Sequence, residues 1–288
     1  MKTNISLLIS GKLGYNLLIE MHNYTKIELI ATDKNSSDII DFAKSKNIPL
    51  FIGNPRNGKL AAFISTTQNE LLLSINYLFL VEEDLIKKFK YPINFHGSLL
   101  PKYRGRTPHV WSIINNEYET GITAHFIDEG CDTGDIILQK RIPILENDTG
   151  FSILENYIKI YPIMVREIID MFETKNINRK KQDSSIATIY GKRTPNDGKI
   201  NWDWQKERIR NWVRAQTDPY PGAFTFFDNQ KIIIDKISFC EMGFNNDLSN
   251  GTILQVKPLL VVKTSNGAVN IDLIRNNEVE FVQNKILT

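Results

Sequence analysis

The sequence predicts an α/β protein, a mostly parallel sheet flanked by helices and followed by a smaller β-rich domain. Three observations carry this. Short apolar runs alternate with helical periodicity through residues 4–174, the pattern of strands joined by crossover helices. From Ile200 the chain changes to short strands punctuated by Gly, Asn and Pro, with one short helix among them. A length of 288 residues also exceeds that of a usual single domain, which makes a second, smaller one the expectation.

In chain order, residues 4–10 form an apolar strand that turns at Gly11 into a helix. The turn lacks the Gly-x-Gly-x-x-Gly spacing of a dinucleotide loop, so it reads as a tight βα connection. Residues 26–32 are the second strand, 37–46 a helix capped by Ser36 or Ser37, and 49–53 the third strand. The fourth strand covers 71–77, a helix 82–88 and the fifth strand 92–96. Thr107 before Pro108 marks an N-cap with proline at the first helical position, opening a helix to Asn115. Two alternating runs, 120–128 and 135–144, lead to a long apolar helix over 150–174, bent at Pro162. Residues 178–185, Asn-Arg-Lys-Lys-Gln-Asp-Ser-Ser, read as a solvated basic linker. Beyond it Trp202, Trp204 and Trp212 gather around a short helix, and Asp218-Pro219-Tyr220-Pro221-Gly222 makes a turn. Strands at 224–227, 231–239, 251–256, 259–264 and 268–274 then suggest a small barrel or sandwich. The boundaries are an α/β domain over 1–178, a linker over 179–199 and a β-rich domain over 200–288.

Composition narrows the function classes. With 42% hydrophobic and 24% charged residues, the chain is an ordinary globular protein. No apolar run approaches the roughly 18–20 residues that span a bilayer, and Met1-Lys2-Thr3-Asn4 leads straight into a strand, so neither a membrane segment nor a signal peptide is expected. Cys131 and Cys240, the two cysteines, lie far apart and suit a reducing compartment, hence a cytoplasmic location. A net charge of +2 argues against a protein whose main work is neutralising many phosphates.

The candidate site begins at the end of the fifth strand. Asn94 and His96, two residues apart, emerge on one face and set a hydrogen-bond donor beside a titratable base. Gly97, Pro101 and Gly105 keep the following backbone irregular, just beyond the strand end where parallel α/β sheets bind ligands. Downstream, Asp128-Glu129-Gly130-Cys131-Asp132-Thr133-Gly134-Asp135 packs four carboxylates into a tight turn, and these repel one another unless something protonated faces them. His96 is the natural counter-group. A zinc site from His109, His125 and Cys131 lacks paired ligand spacing, and the two histidines read as structural.

These two stretches, Asn-x-His-x-Ser-Leu-Leu-Pro from Asn94 and Asp-Thr-Gly-Asp from Asp132, resemble the formyltransferases that use 10-formyltetrahydrofolate. Arg214-Ala215, Pro221-Gly222-Ala223 and Gly251-Thr252-Ile253 extend the resemblance to the barrel-like C-terminal domain of several members, and the fold it implies is Rossmann-like. It also implies Asn94, His96 and Asp132 as the catalytic trio, no metal, and a folate donor bound by Tyr77, Leu78, Phe79, Gly130 and Asp132. Formyl transfer to an amine passes through a tetrahedral species, so the site must hold an oxyanion and move a proton. The Asn94 amide and a protonated His96 can donate to the oxyanion, and Asp132 can orient the imidazole or take the amine proton.

Three acceptors are open, the amine of an initiator methionyl-tRNA, that of a purine-pathway ribonucleotide and that of a nucleotide-linked sugar; the purine enzymes resemble only the N-terminal domain, and charge and the linker bear on the other two. Residues 200–288 hold ten Lys plus Arg and ten Asp plus Glu, a net of zero. Residues 33–41 carry only Lys34 where methionyl-tRNA formyltransferases have a basic insertion. Nucleic acid is thereby the second reading, as methionyl-tRNA formyltransferase. Residues 190–202, beginning Tyr-Gly-Lys-Arg-Thr-Pro, resemble the segment joining the two domains of sugar N-formyltransferases. The expected acceptor is therefore the amine, on C3 or C4, of a nucleotide-linked dideoxy amino sugar, with dTDP as the nucleotide and surface polysaccharide (lipopolysaccharide O-antigen) synthesis as the setting. Ser98, Lys102, Tyr103, Arg104, Lys192 and Arg193 are the candidate sugar-nucleotide contacts, with Tyr220 as a stacking surface for the base or else a hydrophobic plug. The apolar C-terminal strands could form a homodimer contact.

Overall fold

The computed structural model describes residues 2–64, 70–275 and 279–288. A seven-stranded sheet in the order β3-β2-β1-β4-β5-β7-β8 organises the first part of the chain. Its strands are β1 (Thr3–Ile9), β2 (Thr25–Thr32), β3 (Leu50–Ile52), β4 (Leu71–Ile75), β5 (Tyr91–His96), β7 (Glu119–Phe126) and β8 (Ile136–Pro143), while the two-residue β6 (Arg104–Gly105) lies outside it. The pairs β1–β2, β1–β4, β2–β3 and β4–β5 are parallel, and β5–β7 is antiparallel. Strands buried on both faces must be apolar throughout, and Leu71, Leu72, Leu73 and Ile75 of β4 are fully enclosed. Helices α1 (Gly11–Tyr24) and α2 (Ser37–Ser45) connect the first three strands, followed by α3 (Lys59–Phe63), α4 (Glu83–Ile86), α5 (Pro108–Ile114) and α6 (Gly150–Glu173), with Pro162 inside the last.

The order of elements follows the sequence pattern, with three local departures. Helix α3 falls in a stretch too short to show a helical period. Ser36 does not cap α2; its hydroxyl donates to Asp33 and accepts from the Gly11 amide, so it ties the β1–α1 turn to the end of β2. Thr107 likewise does not cap α5: its backbone is left-handed (φ 50°), which turns the hydroxyl away from the first helical amides.

The later part of the chain carries α7 (Lys206–Gln216) and a five-stranded antiparallel sheet ordered β10-β11-β14-β13-β12. Those strands are β10 (Ala223–Phe227), β11 (Gln230–Cys240), β12 (Ile253–Gln255), β13 (Leu260–Thr264) and β14 (Gly267–Arg275), the two-residue β9 (Ile189–Tyr190) preceding them outside the sheet. β10 and β12 are the two ends of the sheet, and the tail at residues 284–288 reaches both. Thr288 exchanges backbone bonds with Phe226 of β10 at 2.7 and 2.9 Å, while Asn284 and Lys285 bond to Ile253 of β12. The tail thus supplies the missing rung that makes the sheet barrel-like, satisfying edge groups that would otherwise face solvent.

The chain divides into two compact units. One holds residues 1–105, 121–142 and 156–189; the other holds 106–120, 143–155 and 190–288. In the second, the Trp204 and Trp212 rings meet edge to face at 4.9 Å, and Trp202 donates to Thr225 at 3.0 Å. No helix among the described residues is long and apolar enough to cross a membrane.

On β7 a Cβ at Gly121 would lie 2.2 Å from the Lys140 carbonyl oxygen and 2.6 Å from Leu99, so neighbouring backbone occupies the space of a side chain. Gly121→Ala is expected to destabilise the protein by about 1–3 kcal/mol. Gly243→Ala, where nothing lies within 4 Å, should be near neutral. Urea denaturation checks both, as a lower midpoint at unchanged slope for the first alone.

Candidate active site

Asn94 and His96 leave the C-terminal end of β5 on one face, as alternate residues of a strand must. The antiparallel register pairs Asn94 with His125 and His96 with Thr123. Cross-strand partners on one face sit side by side, and Asn94 Nδ2 is 3.1 Å from His125 Nε2. Thr123 anchors the loop after β5: its hydroxyl donates to the Ser98 carbonyl at 2.6 Å and accepts from the Leu100 amide at 3.1 Å. Gln139 reaches the same hydroxyl and the Leu100 carbonyl, both at 2.9 Å.

Asp132 arrives from the loop between β7 and β8 with a left-handed backbone (φ 55°), a conformation aspartate adopts more readily than most residues. Two residues on, Gly134 packs so closely that a Cβ there would lie 1.9 Å from the Phe126 carbonyl oxygen. Within the loop the Asp128 carboxylate accepts from the Gly130 amide and the Thr133 hydroxyl. The two oxygens of Asp132 face different imidazoles: Oδ2 lies 3.5 Å from His96 Nδ1, and Oδ1 3.5 Å from His125 Nε2. Oδ2 also accepts from the Gly105 amide at 2.9 Å, and Oδ1 lies 3.5 Å from Asn94 Nδ2.

Carbonyl partners fix both tautomers. His96 Nε2 is 2.7 Å from the Tyr103 carbonyl oxygen; a carbonyl only accepts, so Nε2 holds the proton and Nδ1 is left facing Asp132. His125 Nδ1 is 2.7 Å from the Phe126 carbonyl oxygen, so its Nε2 accepts from the Asn94 amide. Burial pulls the His96 imidazole below its ordinary value, against the opposing pull of the Asp132 charge and the Tyr103 carbonyl. For Asp132 burial acts upward, but His96, His125 and the Gly105 amide outweigh it and hold the carboxyl well below the usual carboxylate range.

The three expected residues therefore converge, and a fourth joins them. His125 reads as structural in sequence because nothing there reveals its partner. Its one sequence signal is the two-residue spacing from Thr123 on a strand, and that becomes informative only once the strand is paired against β5.

The other expected contacts divide. Ser98 is buried, and its hydroxyl donates to the Lys102 carbonyl at 2.7 Å. Tyr103 and Arg104 are also buried; the Arg104 guanidinium donates twice to Gln182 Oε1, at 3.1 and 2.7 Å. The Lys102 side chain is exposed. Of the residues expected to hold the folate, Tyr77 and Phe79 meet edge to face at 5.4 Å and Leu78 is 45% exposed, beside Leu80 at 54%, which makes an apolar rim. In the second unit Lys192 is exposed, whereas the Arg193 guanidinium lies over the Trp111 and Trp212 rings and donates to Asp197 and Gln216. The Tyr220 hydroxyl pairs with His109 Nε2 at 2.9 Å, and burial pushes the phenol up to about 12.

Comparison with known proteins adds a family to this geometry. The chain aligns at 32% identity over 259 residues with the bifunctional polymyxin resistance protein ArnA of Wigglesworthia glossinidia brevipalpis, taking in 87% of this chain and 39% of that relative's length. An N-formyltransferase from Helicobacter canadensis, solved with folinic acid and dTDP-3-aminofucose, superposes with a TM-score of 0.73 at 21% identity, over 94% of this chain and 99% of that one. WlaRD, a sugar 3N-formyl transferase solved in the presence of dTDP and 5-N-formyl-THF, gives 0.68 at 23% identity, over 94% and 97% of the two chains. At these identities the two structural likenesses are likenesses of fold. The formyl transferase family model matches residues 24–162 and its C-terminal domain model matches 192–283, so the chain belongs to the formyl transferase family.

Proposed function

We propose that the protein transfers a formyl group from 10-formyltetrahydrofolate to the amine of a dTDP-linked dideoxy amino sugar, with Asn94, His96 and Asp132 carrying the chemistry. The observation that bears the most weight is the Asp132 carboxylate 3.5 Å from the free nitrogen of His96, with the Asn94 amide beside both. Such a trio meets each need of acyl transfer to an amine. The Asn94 amide donates to the oxyanion that develops as the amine attacks the formyl carbon, redirecting the hydrogen held only loosely, at 3.5 Å, toward Asp132.

With Nε2 engaged by Tyr103, Nδ1 is the nitrogen of His96 that exchanges protons. Burial keeps the imidazole neutral near pH 7, so Nδ1 accepts the amine proton; Asp132 then stabilises the imidazolium until it returns the proton to the departing folate nitrogen. Proton and bond balance close within the trio.

The apolar rim at residues 77–80 holds the donor. On the acceptor side, a diphosphate needs few cations, and the exposed Lys102 is a candidate. The balanced charge of residues 200–288 supports a small acceptor over a transfer RNA, whose binding calls for many basic contacts. The sugar-nucleotide and folate ligands of the structural relatives support the same choice. The product would serve surface polysaccharide synthesis in the cytoplasm, and a homodimer through the C-terminal strands is part of this reading.

His96→Asn is expected to lower kcat by about 10²–10⁴-fold with the fold intact, as judged by circular dichroism. Asp132→Asn should also lower the pH at which His96 titrates, followed by NMR of its ring protons, because the carboxylate charge raises the proton affinity of the imidazole. Because the buried His96 must be neutral to accept a proton, kcat is expected to be level above about pH 6.5 and to fall as pH drops below the depressed His96 value. A profile that instead falls on the alkaline side would reverse the assigned proton direction. Assay with the folate donor against nucleotide amino sugars and charged initiator tRNA tests the acceptor; turnover confined to the tRNA would defeat the sugar reading.

A further inference from the structure

Residues 179–188, which take in most of the segment 178–185 that reads as a solvated linker, run along the candidate active site. The Arg179 guanidinium lies 3.7 Å over the Phe126 ring, and Lys180 and Ile136 exchange backbone hydrogen bonds at 2.8 and 2.9 Å. Thr188 then holds the far side: its hydroxyl accepts from the Tyr103 amide at 2.8 Å, and its carbonyl accepts from the Arg104 amide at 2.9 Å. Tyr103 is the residue whose carbonyl binds His96 Nε2.

Between these anchors Gln182 uses both ends of its amide. Oε1 accepts from Arg104 Nε and Nη2, and Nε2 donates to the carbonyls of Asp132 and Gly134 at 2.8 and 2.7 Å. An amide has two acceptor sites and two donor hydrogens, so every one is filled. We propose that Gln182 is a positioning residue, clamping the Asp132 loop to the buried Arg104 guanidinium and thereby fixing the distance between the Asp132 carboxylate and His96. The inference rests on the reading of Asn94, His96 and Asp132 given above.

A glutamine is suited to this task where its charged counterpart is not. Arg104 calls for an acceptor, and the two loop carbonyls call for donors; one planar amide offers both at opposite edges. A carboxylate would satisfy the guanidinium more strongly yet turn a second acceptor toward two carbonyl oxygens. Gln182→Glu therefore separates positioning of the loop from mere satisfaction of Arg104.

If Gln182 positions the loop, Q182E lowers kcat by about 10²-fold while KM for donor and acceptor changes by less than about threefold. Its melting temperature stays within about 3 °C of wild type, and amide hydrogen exchange across residues 128–135 becomes about tenfold faster. If the side chain serves only Arg104, Q182E keeps wild-type kcat and wild-type exchange, and the proposal is overturned. The exchange experiment needs no substrate: acceleration supports the clamp and its absence refutes it, even for a protein inactive on every acceptor tried, a result that would bear on the proposed function alone. Should Q182E not fold, Arg104→Lys takes its place, since a lysine cannot grip Oε1 with two rigid donors; it should speed exchange in the same segment, and unchanged exchange would again refute the clamp.

Discussion

The structure of this site depends on one partly buried carboxylate. Asp132 is 15% exposed, its two oxygens face two different imidazoles, and it accepts a backbone hydrogen bond from Gly105. A charge taken out of water is costly unless neighbours replace the lost solvation, and here the Gly105 main-chain amide and the Asn94 side-chain amide donate to it. Much of the surrounding backbone is arranged to allow it: Asp132 accepts a left-handed conformation, Gly134 presses against Phe126, and the register of β5 and β7 delivers His125 to the second oxygen.

The same arrangement assigns distinct work to two similar side chains. His96 and His125 both donate a ring proton to a backbone carbonyl, but through opposite nitrogens, so His96 faces Asp132 through Nδ1 and His125 faces Asn94 through Nε2. Carbonyls choose the tautomers, and the tautomers choose which nitrogen is left for chemistry. A loop with its own carbonyls unsupported would leave both choices to thermal motion. Thr188, accepting from the Tyr103 amide, steadies the residue whose carbonyl sets the His96 tautomer, and Gln182 steadies the loop that carries Asp132.

Much of the fold is legible in the sequence because parallel strands buried on both faces must be continuously apolar and the helices between them must not be. The run at Leu71–Ile75, apolar but for Ser74, shows this. Helix α3 is lost because five residues give no period, and the capping expectation for Thr107 fails because its backbone is left-handed. The solvated reading of residues 178–185 holds for its exposed residues but misses Gln182, which spends its polarity on the loop carbonyls. Arg104 shows the converse, a cation that reads as a phosphate contact yet lies buried against Gln182.

What the sequence determined by itself was the set of chemically capable groups, an amide and an imidazole two residues apart at a strand end and a carboxylate in a glycine-rich turn. Local rules suffice for that, since strand alternation and turn chemistry act over a few residues. Only the tertiary structure decided which nitrogen of His96 is free, that His125 stands opposite Asn94, and that a glutamine fifty residues on from Asp132 holds its loop. Those outcomes turn on strand register and on carbonyl positions contributed by distant segments, and neither leaves a mark in the spacing of residues along the chain.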